Sequence, residues 1–322
     1  MLTSRYLFGH VENVIAAVMD LRPNRTTDDQ RALAAGLSAE LTALRTTAAN
    51  LNISEWWLAI AEGLERLANT GDSMRFIRWA PIRTNMFYGT TFATIALWWQ
   101  LRRSPAWQST WAPLLRHRYA LGHPPPFPLM PSTNAKAIEN AFHLFSFEAT
   151  TGLDFHDADC VIEFGGGFGS MCRMIHERGF RGTYIIFDLP HSLALQRFYL
   201  GLHGIGTDSG VHLCSDLDQL TALLDAGNFT NVSAISTWAM SEMPISLRDR
   251  IQAIMTRDCC HKLLLGYQAR FEGVDNLAFF AAFAEQTRAA ITWSDVPMRP
   301  VSGTPRDDDN FYLFGVRAPP LP

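Results

Sequence analysis

The sequence has little surplus charge and few cysteines, and both shortages exclude classes of protein. Its 27 Lys and Arg against 31 Asp and Glu leave a net charge of −4, which gives no broad basic surface for a nucleic acid. The cysteines are odd in number and lack the paired spacing of a zinc site: Cys160, Cys172, Cys214, Cys259 and Cys260. We therefore expect reduced thiols in the core, no metal ion and no nucleic-acid partner.

The sequence also lacks an apolar run long enough to span a membrane. Its N-terminal residues show no charged region followed by a long apolar run, so secretion is not expected and the cytoplasm is the predicted location. The segment Met86 to Leu101 is shorter than the about 20 apolar residues of a span, and Thr90, Thr91 and Thr94 interrupt it. We expect a buried helix there and no membrane partner.

Two regions of different charge and pattern indicate two domains. Residues 1–135 contain 13 basic and 9 acidic residues, whereas residues 136–322 contain 14 and 22. The first region has apolar residues at helical spacing, with a capping box formed by Thr27 and Gln30. Prolines between Gly122 and Pro131 exclude a helix and favour a stiff, extended chain. We predict a helical domain over residues 1–121, a linker over 122–133 and a second domain over 134–322.

The second region alternates apolar runs with helical segments. Its predicted strands are the run from Val161, then Tyr184 to Asp188, Val211 to Cys214, Val232 to Trp238, Leu263 to Tyr267, Ile291 to Val296 and Phe311 to Val316. Such alternation predicts an α/β fold, with a mostly parallel sheet covered by helices on both faces. A long loop without a helical pattern separates the last two runs, which predicts a terminal hairpin.

The first strand ends in an acid and a glycine cluster, Glu163-Phe-Gly-Gly-Gly-Phe-Gly169. Without a Cβ atom the backbone adopts positive φ, and a ligand can lie against the main chain. The helix that follows, Gly169 to Arg178, directs its free N–H groups toward that ligand. Asp188 comes 19 residues after Gly169, the offset at which an acid binds a ribose diol. The pattern predicts a site for an adenosine-type ligand; an ordinary strand-to-helix turn is the structural alternative.

The spacing of the glycines distinguishes two such ligands. A dinucleotide site has the pattern G-x-G-x-x-G, and in that register the third glycine is replaced by Ser170. In the other register, Glu163, Gly165, Gly167 and Gly169 resemble the first motif of S-adenosylmethionine-dependent methyltransferases. That cofactor has a sulfonium and an ammonium group but no pyrophosphate, so an acid beside the loop attracts it. The spacing favours S-adenosylmethionine over NAD.

Three motifs together resemble bacterial sugar O-methyltransferases over about Ser132 to Val316. They are the glycine loop, Phe187-Asp188-Leu189-Pro190, and Ser236-Thr237-Trp238-Ala239-Met240-Ser241-Glu242-Met243-Pro244. The resemblance implies a Rossmann-like methyltransferase fold, in which a seven-stranded, mostly parallel sheet ends in an antiparallel hairpin. The cofactor-binding residues implied are Glu163, Gly165, Gly166, Gly167, Gly169, Asp188 and Leu189. Plant-type small-molecule O-methyltransferases, which are similar, have a catalytic histidine after the fourth strand. This chain has Ser241 there, so their mechanism does not carry over.

Two residues are candidates for the general base that removes the proton of an acceptor hydroxyl. Glu242 follows the fourth strand at the carboxyl edge of the sheet, where ligands of open α/β sheets bind. Alternatively, it offsets the dipole of a helix that begins at Pro244. His143 lies on the predicted helix Asn134 to Glu148, and a histidine titrates near neutrality. Alternatively, it is a buried structural residue.

Three further features each have two interpretations. Asp216, after the third strand, accepts a hydrogen bond from the adenine amino group or caps the next helix. Trp238 lines the cofactor site or fills the edge of the sheet. The run Asp307-Asp308-Asp309 suggests a metal, but three consecutive acids on a loop cannot all face one ion, so we predict a solvated run and no metal site.

We expect an enzyme that transfers a methyl group from S-adenosylmethionine to a hydroxyl of a sugar or glycosylated small molecule, which leaves S-adenosylhomocysteine. A phenolic or other natural-product acceptor is the alternative. Two other classes stay open: an NAD-dependent oxidoreductase, and a methyltransferase fold without activity that serves binding or assembly. The helical domain, rich in tryptophan, is predicted to cap the acceptor, to form a homodimer, or both.

Overall fold

The computed structural model describes residues 2–21, 26–48, 55–87, 89–117, 119, 121–298, 305–307 and 309–317. Its α-helices are α1 (Leu2–Asp20), α2 (Asp28–Ala48), α3 (Glu55–Thr70), α4 (Ala80–Asn85), α5 (Phe92–Arg103), α6 (Ala112–Leu114), α7 (Ala135–Thr151), α8 (Ser170–Glu177), α9 (Pro190–Leu202), α10 (Leu217–Gly227), α11 (Ala239–Glu242), α12 (Ile245–Met255) and α13 (Asn276–Thr287). Its strands are β1 (Pro126–Phe127), β2 (Met130–Asn134), β3 (Cys160–Phe164), β4 (Thr183–Phe187), β5 (Val211–Cys214), β6 (Val232–Thr237), β7 (Cys260–Gln268), β8 (Arg270–Phe271), β9 (Val274–Asp275), β10 (Ile291–Pro297) and β11 (Asn310–Arg317). Short 3₁₀ helices cover Ser73–Arg78 and Thr207–Ser209, and a π-helical turn covers Trp107–Trp111.

Seven strands form one sheet in the order β5-β4-β3-β6-β7-β11-β10. The strands from β5 to β7 pair in parallel, whereas β11 runs antiparallel to both β7 and β10. The parallel part has the doubly wound order, in which the chain moves outward from β3 first in one direction and then in the other. The antiparallel β11, inserted between β7 and β10, is the terminal hairpin expected of the methyltransferase version. The Rossmann-like methyltransferase fold predicted from the sequence is confirmed.

The strands lie where the apolar runs predict them, and β7 differs most. It begins at Cys260 rather than Leu263, so it includes the charged residue Lys262. The side chain of Lys262 is buried, and its Nζ donates to the carbonyl oxygen of Asp154 at 2.7 Å. Because a charged residue interrupts an apolar run, the sequence predicts the start of β7 only after Lys262.

One face of the sheet packs against α10, α12 and α13 in a continuous apolar core. Successive strand residues point to opposite faces. Ile162 and Phe164 of β3 belong to this core, together with Ile185 of β4 and Leu265 of β7. The alternation therefore places Glu163 on the other face of the sheet.

By its internal packing the chain divides into two units. One comprises Met1–Phe142, Gly167–Arg178 and Pro190–Gly206, and the other comprises His143–Gly166, Gly179–Leu189 and Thr207–Pro322. Helices α8 and α9, which the sequence analysis assigned to the second domain, thus group with the N-terminal helices. The linker predicted over residues 122–133, as the boundary between two domains, stays a prediction.

The start of α2 follows the predicted capping box. Gln30 N donates to Thr27 Oγ1 at 3.2 Å, and Thr27 N donates to Gln30 Oε1 at 3.0 Å. Such a cap satisfies two N–H groups at the helix start and contributes about 1 kcal/mol.

The predicted buried helix over Met86 to Leu101 is wrong at its start. α5 begins only at Phe92, because Thr91 and Thr94 form a capping box of their own. The chain before it is held differently: Thr90 N donates to Oε1 of the buried Glu12 at 2.7 Å. α5 is also only partly buried, since Phe92 is 65% exposed. Within the described ranges, no helix has the length and apolar character needed to cross a membrane.

A charged cluster around Asp20 ties the end of α1 to later parts of the first unit. Asp20 Oδ2 accepts hydrogen bonds from Arg75 Nη1 (3.1 Å) and Arg78 Nη1 (3.0 Å). Asp20 Oδ1 accepts from Tyr119 Oη (2.9 Å) and lies 3.1 Å from His123 Nδ1. Burial raises the pKa of Asp20, but the hydrogen bonds from Tyr119, His123 and Arg78 outweigh it, so that the pKa lies below its ordinary value.

We expect Asp20→Asn to lower the free energy of unfolding at pH 7 by about 2 kcal/mol, since hydrogen bonds to a charged group contribute about 1.5–3 kcal/mol. Because folding depresses this pKa, the stabilisation is present above the unfolded pKa and is lost as the pH falls through the folded value. Urea unfolding at pH 7 and in acid measures both effects, with the exposed Asp249→Asn on α12 as control. A loss that stays the same at every pH would contradict the role of the charge.

Candidate cofactor and active site

The glycine loop leaves β3 through backbone conformations that favour glycine. Gly165, Gly167 and Gly169 have φ angles of +78°, +57° and +94°. Gly165 N donates to the carbonyl oxygen of Phe187 at 2.8 Å, which ties the loop to the end of β4. A Cβ atom at Gly165 would overlap the side chain of Ala239, whereas an added Cβ at Gly167 meets no described atom within 4 Å. The loop is therefore closely packed at its first glycine and open at its third.

In the first unit, α9 shapes the later part of the loop. Gln196, which is fully buried, donates from Nε2 to the carbonyl oxygen of Gly167 at 3.0 Å. Leu200 lies against Gly169, where an added Cβ would come within 3.1 Å of its side chain. The role of Gln196 could not be predicted, because a side chain that bonds to a loop carbonyl leaves no local pattern in the sequence.

Glu163 lies within β3 and is 2% exposed. Its Oε2 accepts a hydrogen bond from Tyr184 Oη at 2.9 Å. Tyr184 stands on the neighbouring strand β4, paired with Val161, so the two side chains share one face of the sheet. The acid predicted beside the loop is present, and it is buried with a hydrogen-bonding partner on β4.

Three predicted cofactor residues of the second unit follow neighbouring strands at the carboxyl edge of the sheet. Asp188 and Leu189 follow β4, and Asp216 follows β5. Asp188 is partly exposed, and its Oδ1 accepts from Leu189 N at 2.7 Å. Asp216 Oδ1 accepts from Asp218 N at 2.8 Å and caps α10. The structure thus shows the capping role of Asp216, while its contact with adenine stays a prediction.

Trp238 follows β6 with a strained backbone, φ 68° and ψ −39°. Such a conformation in a residue other than glycine costs of the order of 1–3 kcal/mol and persists only where neighbours hold it. Trp238 N donates to the carbonyl oxygen of Gly266 at 2.7 Å, and Nε1 donates to Asn310 Oδ1 at 3.2 Å. This backbone conformation turns the chain at the carboxyl edge of the sheet, and Trp238 is partly exposed there.

His143, the second candidate base, is 1% exposed. Its Nδ1 lies 2.6 Å from Tyr312 Oη on β11. Its ring stands edge-on to Trp238, with the ring centroids 4.9 Å apart. His143 and Trp238 are therefore neighbours, and Trp238 is the more accessible of the two.

Glu242 is the last residue of α11, and it does not belong to the first turn of α12. The interpretation that it offsets the dipole of the helix after Pro244 is therefore not supported. Glu242 is partly exposed, and its Oε1 accepts from Gln268 Nε2 at 3.3 Å. Burial raises the pKa of Glu242, and the hydrogen bond from Gln268 opposes this shift.

Ser241, which the sequence resemblance predicts to stand where the plant-type enzymes have their histidine, has two hydrogen-bonding neighbours. Its Oγ lies 2.6 Å from the carbonyl oxygen of Trp238 and 2.9 Å from Gln268 Oε1. The side chain is fully buried. Gln268 is not among the predicted site residues, although it ends β7 at the same carboxyl edge and the rule that predicts Glu242 applies to it.

The acidic run at residues 307–309 has partners in its described part. Asp307 lies 3.7 Å from Arg270 Nε, and Asp309 Oδ2 accepts from Arg306 N at 2.8 Å. Asp308 lies outside the described residues. In the part of the chain that the structure describes, no group of three or more His, Cys, Asp and Glu is placed to hold a metal ion.

No protein-family model and no curated protein sequence matches this chain. Among solved structures it is similar to an rRNA methylase from Streptococcus thermophilus, with 17% identity and a TM-score of 0.39 over 53% of this chain and 92% of the other. It is similar to mitomycin 7-O-methyltransferase, with 14% identity and a TM-score of 0.36 over 90% and 95%. It is also similar to magnesium protoporphyrin IX methyltransferase from Synechocystis PCC 6803 with bound S-adenosylhomocysteine, with 13% identity and a TM-score of 0.39 over 56% and 83%. The assignment of the fold rests on the strand order and not on these scores.

We expect Gly165→Ala to destabilise the protein by about 3 kcal/mol or more, since the new Cβ overlaps Ala239 and the backbone is strained as well. Gly167→Ala is the matched control, because its φ is also positive but the added Cβ meets open space; it should cost about 1–2 kcal/mol. Urea unfolding measures both.

The double variant Gly165→Ala with Ala239→Gly separates the two causes. Removal of the Ala239 methyl group makes room, so the double variant should be more stable than Gly165→Ala alone. If Gly165→Ala and Gly167→Ala lost the same free energy of unfolding, or if the double variant regained none, the contact with Ala239 would not be what excludes a side chain at Gly165.

Proposed function

We propose that this protein is an S-adenosylmethionine-dependent O-methyltransferase. The observation that carries the proposal is the glycine loop between Gly165 and Gly169, which follows β3. β3 is the strand from which the sheet winds in both directions. Ligands of doubly wound sheets bind at that point, outside the carboxyl ends of the strands. The antiparallel β11 and the missing third glycine support the methyl donor rather than NAD.

The residues at this edge fit S-adenosylmethionine. The open side of Gly167 lets a ligand lie against the main chain. The carboxylate of Asp188 suits a ribose diol, and Glu163 favours a ligand with a sulfonium and an ammonium group. We propose as cofactor-binding residues Glu163, Gly165, Gly166, Gly167, Gly169, Asp188, Leu189, Asp216 and Trp238.

The acceptor that we propose is a hydroxyl of a sugar or glycosylated small molecule. This part rests on the resemblance of the motifs around Asp188 and Trp238 to sugar O-methyltransferases. A phenolic or other natural-product hydroxyl is the alternative acceptor. A role of the N-terminal helices in capping the acceptor or in forming a homodimer belongs to the same proposal.

Methyl transfer requires that the protein orient the acceptor hydroxyl and that a base remove its proton. When bound, S-adenosylmethionine supplies an electrophilic methyl group on sulfur. The protein holds the acceptor oxygen in line with the sulfur–carbon bond, and such orientation can contribute about 7–11 kcal/mol. As the carbon–oxygen bond forms and the carbon–sulfur bond breaks, a base takes the hydroxyl proton.

We assign the role of general base to Glu242. It is more accessible to an acceptor than His143, which is 1% exposed. Burial raises the pKa of Glu242 and so brings its proton affinity closer to what a base needs at neutral pH. Gln268 holds one oxygen of the carboxylate and fixes its orientation. His143 is the second candidate.

We expect S-adenosylmethionine and S-adenosylhomocysteine to raise the unfolding temperature of the wild type, because a ligand at 100 times its Kd adds about 2.7 kcal/mol of stability. Asp188→Ala should abolish the shift, whereas the exposed Asp258→Ala should retain it. Thermal unfolding with each ligand and with NAD is the measurement. A shift with NAD alone would support an oxidoreductase; binding without turnover on any acceptor would support a silent fold.

We expect Glu242→Gln to lower turnover by a factor of about 10² to 10⁴, the usual contribution of a general base, and to leave cofactor affinity unchanged. Since the base must be ionised and burial raises its pKa, wild-type turnover should fall as the pH drops through a pKa above the ordinary value of a glutamate. Production of S-adenosylhomocysteine with a panel of sugars and phenols measures this. The exposed Glu285→Gln is the control. If His143→Gln lowers turnover and Glu242→Gln does not, the base is His143.

A further inference from the structure

Arg248, on α12, binds the backbone on both sides of Glu242. Its Nη2 donates to the carbonyl oxygen of Ser241 at 2.6 Å, and its Nε donates to the carbonyl oxygen of Met243 at 2.7 Å. Its Nη1 donates to Asn276 Oδ1 at 2.7 Å, at the start of α13. The planar guanidinium therefore joins the segment that contains Glu242 to two helices.

The guanidinium of Arg248 is buried without a salt bridge in the described part of the chain. Arg248 is 1% exposed, and its three acceptors are neutral oxygens. Its guanidinium carbon lies 4.9 Å from the centre of the Phe279 ring. Removing a charge from water costs several kcal/mol, so a leucine or methionine would fill this place at a lower cost if packing were the only requirement.

Polar and charged groups around Glu242 come from three elements. Gln268 at the end of β7 donates to it, Glu272 between β8 and β9 repels its charge, and Arg248 on α12 attracts it. Burial raises the pKa of Glu242, Gln268 lowers it, Glu272 raises it and Arg248 lowers it. Arg248 is the only cation among these influences.

We propose that Arg248 is a positioning residue for Glu242: it clamps the carbonyl groups of Ser241 and Met243 and holds the carboxylate between them in place. The inference rests on the proposed function, in which Glu242 accepts the acceptor proton. It assigns to Arg248 no contact with cofactor or acceptor. The three donors in one plane explain why the residue is arginine, since a lysine ammonium cannot span three acceptors in this arrangement.

The test compares Arg248→Met and Arg248→Lys with Arg250→Met and Arg250→Lys. Arg250 lies on the same helix, and its side chain is 56% exposed. Protein labelled with ¹³C at the glutamate carboxyl carbons is titrated by NMR. The resonance of Glu242 is the one that disappears in Glu242→Gln. This measurement needs no acceptor.

In Arg248→Met the titration of Glu242 should move to higher pH, because the nearby cation is gone, and in Arg250→Met it should stay. In Arg248→Lys the charge remains but the clamp is lost, so amide hydrogen exchange over residues 239–243 should accelerate by about tenfold or more, the factor for about 1.4 kcal/mol of local stability. Arg250→Lys should not change the exchange. The lysine variant keeps the test decisive if Arg248→Met does not fold. The proposal would be overturned if the pH titration of Glu242 did not move in Arg248→Met, or if amide exchange did not change in Arg248→Lys.

Two further measurements separate this inference from the proposed function. The thermal shift with S-adenosylhomocysteine should persist in Arg248→Lys; absence of any shift in the wild type would refute the methyltransferase proposal instead. In methyl transfer, Arg248→Lys should lower turnover in the wild type and have no further effect in Glu242→Gln, since a residue that acts through another is not additive with it. Additive losses would show that Arg248 is merely structural.

Discussion

The turn after β3 is the constraint on which the candidate site depends. Gly165 has a φ of +78° and packs so closely against Ala239 that no side chain fits between them. Ala239 is the first residue of α11, and Glu242 is the last. The contact therefore fixes the start of the glycine loop against the segment that carries the proposed base. A larger residue at position 165 would disturb the glycine loop and the position of Glu242 together.

Strain and buried polarity concentrate at the same edge of the sheet. Trp238 holds a positive φ, Glu163 is a buried acid, and Arg248 is a buried cation. Each has partners that offset its cost: the Gly266 carbonyl and Asn310 for Trp238, Tyr184 for Glu163, and three oxygens for Arg248. Apolar packing would be more stable without these features, so their presence in one place is best explained by a function.

The sheet and the glycine loop could be predicted because their signals are local. An apolar run indicates a buried strand wherever it occurs, and a glycine with positive φ is needed wherever a strand turns sharply into a helix. The start of α5 was missed because its cap is a pair of threonines, Thr91 and Thr94, without the usual acid or amide. The roles of Gln196 and Arg248 could not be predicted, because they depend on contacts of side chains with chosen backbone atoms that no periodicity encodes. The grouping of α9 with the N-terminal helices, which an ion pair between Arg197 and Glu40 accompanies, likewise follows from packing alone.

The surroundings of Ser241 and Gln268 bear on which group can accept a proton. Ser241 is fully buried, and its hydroxyl lies within hydrogen-bonding distance of the Trp238 carbonyl oxygen and of Gln268 Oε1. With its oxygen beside Ser241, the amide of Gln268 presents its nitrogen to Glu242. That donor favours the ionised carboxylate, while burial favours the protonated form. Because burial outweighs the donor, the pKa of Glu242 lies above its ordinary value, and the carboxylate accepts a proton more readily than an exposed glutamate does.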